Sequence, residues 1–214
     1  MRTCVIRAVA LAVCLAWGQA AFATGSEVYV KYGEGMNAIP WWPHPTLTSV
    51  RCQMLYDSSY ISYAGTITEF QLEKSDGNSA EFYNVKFYLC HTGLVSLTPV
   101  FRQNYDGNTP TMVASFATYK VPAVVGPYPI PMAETFAYNN VDNLLFEVTW
   151  ESSDKTNIMC RIKNGSVANH RCFAWDYQAE TGTPDIIAYN ALIVFDKYPG
   201  VAPASFGRLK ALFR

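Results

Sequence analysis

Residues 136–150 read FAYNNVDNLLFEVTW, a polar turn that runs directly into a strand. Asn139, Asn140, Asp142 and Asn143 belong to the residue types that hydrogen-bond their own backbone and tolerate turn conformations. Leu144, Phe146, Val148 and Trp150 then alternate with Leu145, Glu147 and Thr149, a period of two that gives one apolar face. The pattern predicts a half-buried strand with Phe146 and Val148 in a core, Glu147 on the solvent side and Asn143 closing the turn. Each such apolar side chain contributes roughly 1.5–3 kcal/mol when fully buried, enough in sum to anchor a sheet against a second layer.

The same period recurs through the chain. Residues 27–32, Val50–Tyr56, 61–72 with a turn at Ala64 and Gly65, 82–90 and Thr111–Val121 all read as strands separated by Gly, Asn and Asp turns. Residues 158–163 and 170–177 flank Asn164 and Gly165, a hairpin signal. Residues 185–196 form a nearly continuous apolar run, which predicts a strand buried on both faces. In the tail, residues 204–214, Leu209, Ala211 and Phe213 alternate with Arg208, Lys210 and Leu212, the pattern of a closing edge strand. Four prolines make 122–131 a rigid connector, and the Gly and Pro content of 33–45 excludes regular structure over most of that loop. One helical turn is expected within 91–101 and no long helix anywhere. These elements predict an all-β fold, a two-layer antiparallel β-sandwich of jelly-roll type.

Composition matters first at the N-terminus. Arg2 and Arg7 precede an apolar run that ends in Ala21, Phe22 and Ala23, the features of a secretory signal peptide over residues 1–23. Val13 is larger than the residue that precedes a lipidated cysteine, which argues against lipidation of Cys14. Residues 24–48 then form an arm with a Trp- and Pro-rich loop, and 49–214 the sandwich domain. Removing the leader leaves 14 Lys and Arg against 17 Asp and Glu, a net charge of −3. This gives no reason to expect nucleic acid, and no stretch beyond the leader is apolar enough for a membrane span.

Cys52, Cys90, Cys160 and Cys172 remain, an even number in an exported chain, and two disulfides are expected. The Asn164 and Gly165 turn would bring Cys160 opposite Cys172, and Cys52 with Cys90 follows by elimination. Their spacing is not that of a zinc site. The loop holding Asn104, Asp106, Gly107, Asn108 and Pro110 has calcium-type oxygen donors but no calcium-loop spacing, so it reads as a turn. No metal or cofactor is expected.

Catalytic motifs of hydrolases, metalloproteases and nucleotide enzymes are absent from the sequence. His44, His91 and His170 are scattered and read as structural. Glu69, Glu81 and Glu147 lie on strands and would have to share a groove to act as a glycosidase pair; charged residues alternating with apolar ones are ordinarily the solvated face. Trp41 and Trp42 are the candidate ligand platform, either exposed for a sugar ring or folded back as a plug over one end of the sandwich, and the plug is the favoured reading.

Three stretches together resemble a known module: residues 31–67 (KYGEGMNAIPWWPHPTLTSVRCQMLYDSSYISYAGTI), 82–98 (FYNVKFYLCHTGLVSLT) and 136–150. They look like a β-sandwich module found in secreted, often multidomain bacterial proteins. The resemblance implies placement outside the cell and a non-catalytic role, and it carries over no site residues. The cysteines and the lack of an attached partner domain depart from that pattern. The expected function is therefore a secreted structural or adhesive component of the cell surface or extracellular matrix, binding a surface polymer or itself. The alternatives are a carbohydrate-binding module and a polysaccharide hydrolase.

Overall fold

In the computed structural model the chain is described over residues 26–43, 49–165 and 168–196. The leader, His44 and the tail lie outside these residues. In chain order the strands are β1 Ser26–Val30, β2 Gly35–Asn37, β3 Val50–Tyr56, β4 Gly65–Lys74, β5 Ala80–Thr92, β6 Thr111–Val121, β7 Gly126–Ile130, β8 Phe136–Tyr138, β9 Asn143–Trp150, β10 Ser152–Ser153, β11 Cys160–Lys163, β12 Arg171–Ala174, β13 Thr183–Asp185, β14 Ala188–Tyr189 and β15 Ala191–Phe195. A short helix α1, Ser58–Ile61, and a 3-10 turn, Phe101–Tyr105, complete the described elements.

The strands form two antiparallel sheets. The first runs β1-β15-β4-β11-β14, with β2 on β11 and with β7 and β8 on β4. The second runs β10-β5-β9-β3-β12-β13, with β6 on β5. Phe146 of β9 stacks on Phe70 of β4 with ring centroids 4.5 Å apart, joining the two layers at the centre of the core. This is the two-layer sandwich the alternation predicts, and Leu144, Phe146, Val148 and Trp150 all enter the inter-sheet core.

Four expectations are corrected. Within the arm assigned to residues 24–48, β1 and β2 are strands of the sandwich, hydrogen-bonded to β15 and β11. The proline connector contains strand β7, paired with β4 from Phe70↔Ile130 to Lys74↔Gly126. Its Pro127 and Pro129 alternate with buried Tyr128 and Ile130 and are exposed at a sheet edge, where a missing N–H is tolerated. The run 185–196 is not one doubly buried strand: Asn190 breaks it into β14 and β15. The Asn190 side chain accepts from the Tyr32 and Gly33 amides at 2.8 and 3.1 Å and donates to Gly33 O and Glu73, replacing ladder bonds that a continuous strand would make.

The cysteines are the fourth correction. β11 belongs to the first sheet and β12 to the second, so Cys160 and Cys172 lie in different layers and do not face each other. Cys52 and Cys90 lie on strands β3 and β5, on either side of β9, and point to opposite faces: Cys52 packs in the inter-sheet core and Cys90 in a second cluster behind the sheet. Two strand spacings is about 9.6 Å, beyond disulfide reach. All four are free, buried thiols.

Candidate functional site

The alternation in β9 predicts one covered face, yet all eight of its residues are buried. Over β9 and β3 the outer face of the second sheet is roofed by the segments around 97–105 and 176–182, while Lys86 on β5 and Ser115 on β6 stay exposed. Leu55, Cys90, Leu97, Phe101, Leu145 and Cys172 form a second apolar cluster beneath this roof. The roof is tied down by Val100 bridging to Thr181, Phe101 N to Glu180 O at 3.1 Å and Gly182 N to Pro99 O at 2.7 Å. Gly182 is required there, since a Cβ would lie 2.7 Å from both the Phe101 ring and the Phe173 carbonyl oxygen.

Glu147 therefore does not face solvent; it is 3% exposed. Its carboxylate accepts from Arg51 Nε at 3.1 Å, from Gln53 Nε2 at 2.5 Å and from the Tyr105 hydroxyl at 2.6 Å. A buried carboxylate persists only when its oxygens are so occupied. Around it the network closes. Asn104 donates to Gln53 Oε1 at 2.8 Å and to Thr98 O, and accepts from the Thr98 amide. Arg51 also donates to Ala179 O at 3.0 Å and to the Tyr105 hydroxyl at 3.0 Å, and its guanidinium lies 4.6 Å from the centre of the Phe101 ring.

Burial works against the Arg51 charge, but the Glu147 carboxylate and Tyr105 outweigh it and raise its pKa. Burial, reinforced by Glu147, holds the Tyr105 proton on its oxygen, which fixes that hydroxyl as a donor to Glu147. Arg51 and Tyr105 form the floor of a groove of about 660 Å³ whose rim includes Val100, Arg102, Asn108, Thr109 and Glu180. The floor is rigid and polar; Arg102, Asn108, Thr109 and Glu180 stand exposed around it. With Glu147 committed to three donors, the arrangement is built to present fixed hydrogen-bonding groups.

The residues singled out from the sequence are placed elsewhere. Trp41 is fully buried, with its ring 4.7 Å from Phe82 and 5.9 Å from Tyr119, so it is the plug and not a platform. Trp42 is half-buried edge-on against Trp175 at 5.3 Å. Glu69 lies on the other sheet from Glu81 and Glu147, so the three carboxylates do not meet. Asn143 does not close its own turn: Asn139 does, accepting from Val141 and Asp142 amides at 2.9 and 3.0 Å. Asn143 instead joins two loops, accepting from Ser58 N and donating to Leu94 O, both at 2.8 Å. Asn104 points inward, Asp106 accepts the Gly93 amide and Asn108 donates to His91 O, so the Asn- and Asp-rich loop spends these side chains on neighbouring segments.

His91 stacks against Phe136 and Tyr138. His170 places Nδ1 3.0 Å from Ala168 O and Nε2 3.0 Å from Asp57 Oδ2, while Asp57 also accepts from Tyr32 at 3.2 Å. Burial lowers the His170 pKa, but the Asp57 and Ala168 acceptors outweigh it and the net shift is upward.

Arg51, Gln53, Asn104 and Tyr105 went unrecognised as a set because the pairings that join them span 42 to 96 positions of sequence. The available signal was local: polar Arg51 and Gln53 sit opposite Thr149 and Glu147 once β3 and β9 are registered antiparallel.

No protein-family model and no curated protein sequence matches this chain. Among solved structures it is similar to the cysteine protease and lectin-like domains of Cwp84, a surface layer associated protein of Clostridium difficile, with a TM-score of 0.42 and 8% identity. The match covers 71% of this chain and 33% of that one. Among the described residues no helix is long and apolar enough to cross a membrane.

Proposed function

We propose that this chain is an extracellular, non-catalytic β-sandwich that acts as an adhesive component of the cell surface or matrix by holding a hydroxylated polymer, a polysaccharide, in the groove over Arg51 and Tyr105. The observation that carries the reading is the anchored floor. A binding site gains affinity when its polar groups are held in place before the ligand arrives, and Glu147 does this for both residues. The rim combines amide, hydroxyl, guanidinium and carboxylate groups, the donors and acceptors that pair with sugar hydroxyls. The leader-like N-terminus supports an extracellular address.

The test is retention on a glycan array and on insoluble polysaccharides, with reducing-end release measured in parallel. Arg102→Ala and Glu180→Gln change exposed rim groups, and each is expected to weaken retention about tenfold. Trp42→Ala, outside the groove, should leave it unchanged. Retention lost with Trp42→Ala and kept in the rim variants, or no polysaccharide retained at all, would overturn the proposal. Release of reducing ends would show a hydrolase.

A further inference from the structure

Between the two sheets, three polar atoms in a largely apolar core have no partner within the protein. They are Trp41 Nε1 and the hydroxyls of Tyr119 and Tyr128. Trp41 and Tyr128 are fully buried, and Tyr119 is 5% exposed. Such groups are costly to leave unpaired. The strand pairings gather them in one place. Tyr128 on β7 lies opposite Leu72 of β4, and Cys160 on β11 lies opposite Lys74, two positions along β4 and therefore on the same face. Tyr119 enters from the other sheet, on β6 opposite Phe82 of β5. Trp41 reaches between the layers with its ring 5.9 Å from that of Tyr119. Its Nε1 lies near enough to the Tyr128 hydroxyl to act on that proton, yet outside hydrogen-bond geometry, and Tyr119 and the Cys160 thiol act on the same hydroxyl.

The chemistry of these groups defines what fits among them. The indole N–H can only donate, whereas each hydroxyl can donate and accept. Burial holds the protons on both hydroxyls and on the Cys160 thiol, so the groups are neutral. Lys74, the cation opposite Cys160, is committed elsewhere: its Nζ donates to Asn78 O and Pro122 O and lies 3.7 Å from Asp76. An anion would enter a low-dielectric interior with no free charge to meet it, a cost that neutral donors do not offset. A water molecule matches the set. It accepts from the Trp41 N–H and from one hydroxyl and donates to the other, which makes three bonds, the usual number for a buried water. Its second proton faces Cys160 Sγ, a weak acceptor.

We propose that the sandwich binds a water molecule between its sheets, hydrogen-bonded to Trp41 Nε1, Tyr119 Oη and Tyr128 Oη. The site takes one group from each sheet and one from the loop before β3, so the water fastens the Trp41 plug to both layers. It lies on the inner side of the second sheet and is independent of the groove over Arg51 and Tyr105.

The test pairs a high-resolution crystal structure of the protein with urea unfolding of Tyr119→Phe, Tyr128→Phe and the double variant. Each change removes a hydroxyl and keeps the ring, so the packing and the fold are retained. An ordered water within about 3.2 Å of at least two of the three atoms is expected. Each single variant should lower the folding equilibrium constant about fivefold, as the loss of a hydrogen bond does. The double variant should lose less than the product of the two, because both hydroxyls share one water. The sign of the effect decides: removing an unpaired hydroxyl relieves a penalty and stabilises, whereas removing a water-bonded one destabilises. Density without such a water, single variants as stable as the parent or more so, or strictly multiplicative losses would each overturn the proposal. So would a folding constant that falls when chloride is replaced by acetate at fixed ionic strength, which would put an anion in the site.

Discussion

Replacing Glu147 by alanine tests whether β9 is a half-solvated strand or the floor of a roofed polar site. From the sequence alone the change is on the solvent side and should stay within about 0.5 kcal/mol. The structure gives a different magnitude. Three donors lose their acceptor: Arg51, Gln53 and Tyr105. Arg51 and Tyr105 line the groove, where water can replace the carboxylate. Gln53 is fully buried and loses its charged partner, which costs about 1–3 kcal/mol. The Arg51 pair adds about 1 kcal/mol, below the range for a fully buried pair because the Arg51 side chain is 19% exposed. The expected loss for Glu147→Ala is thus about 3 kcal/mol. Glu147→Gln keeps one acceptor oxygen and the packing, so about half that loss is expected. Urea unfolding, with Phe146→Ala at about 3–5 kcal/mol as the core reference, measures all three. A loss below about 0.5 kcal/mol for Glu147→Ala would refute the buried network and return Glu147 to the surface.

Burial pushes the Cys90 thiol up to about 11 and the Cys172 thiol up to about 12, and it raises Cys52 and Cys160 as well, so at pH 8 these four should be almost unlabelled by a thiol reagent in the native protein and fully labelled after unfolding, read by peptide mapping; a Cys160–Cys172 cross-linked peptide would refute the free thiols. Trp41→Ala should cost about 3–5 kcal/mol and Trp42→Ala much less, read by chemical denaturation, because only Trp41 is fully enclosed. The folded pKa of His170 is raised above its ordinary value, so its stabilising contribution is complete below that value, about 6.5, and is lost as pH rises through the folded value. His91 shifts down through burial and contributes in the opposite sense, as stability lost when pH falls below about 6.5. The difference in stability between the parent and His170→Gln, followed from pH 5 to 9, should therefore shrink with rising pH; a difference that grows would exclude the Asp57 pairing.

The strands were legible in the sequence because a period of two needs only one buried face to leave its mark. Val50–Tyr56 and Thr111–Val121 have the same bounds in the pattern and in the structure. What the pattern leaves open is which face meets what. In β9 the alternation marks Phe146 and Val148 for the core correctly, but it does not show that a roof from residues around 97–105 and 176–182 covers the other side. Glu147 is the residue on which this ambiguity falls, because a buried glutamate and a solvated one look the same until Arg51 and Tyr105 are brought to it. The cysteines failed for a related reason. An Asn–Gly pair reads as a hairpin within one sheet, whereas β11 and β12 on either side of it belong to different sheets. Proline was over-read too: β7 keeps its pairing because Pro127 and Pro129 lie at a sheet edge.

The groove and the network beneath it are one construction, and this separates two kinds of variant. Arg51 is held from below by Glu147, from the side by Ala179 O and flat against Phe101, so little of its conformational freedom remains to be lost when a ligand binds. Arg102 and Glu180 have no such anchoring in the network and are exposed. A change at the rim should therefore alter affinity with stability intact. A change at Glu147 or Gln53 should lower both together, because loosening the floor restores rotamer freedom to Arg51 and Tyr105 that a ligand must then remove. If Glu147→Gln lost stability while retention on polysaccharide was unaffected, the network would serve only to fill the space between β9 and its roof, and the groove would be the open end of a loop packing without a ligand of its own.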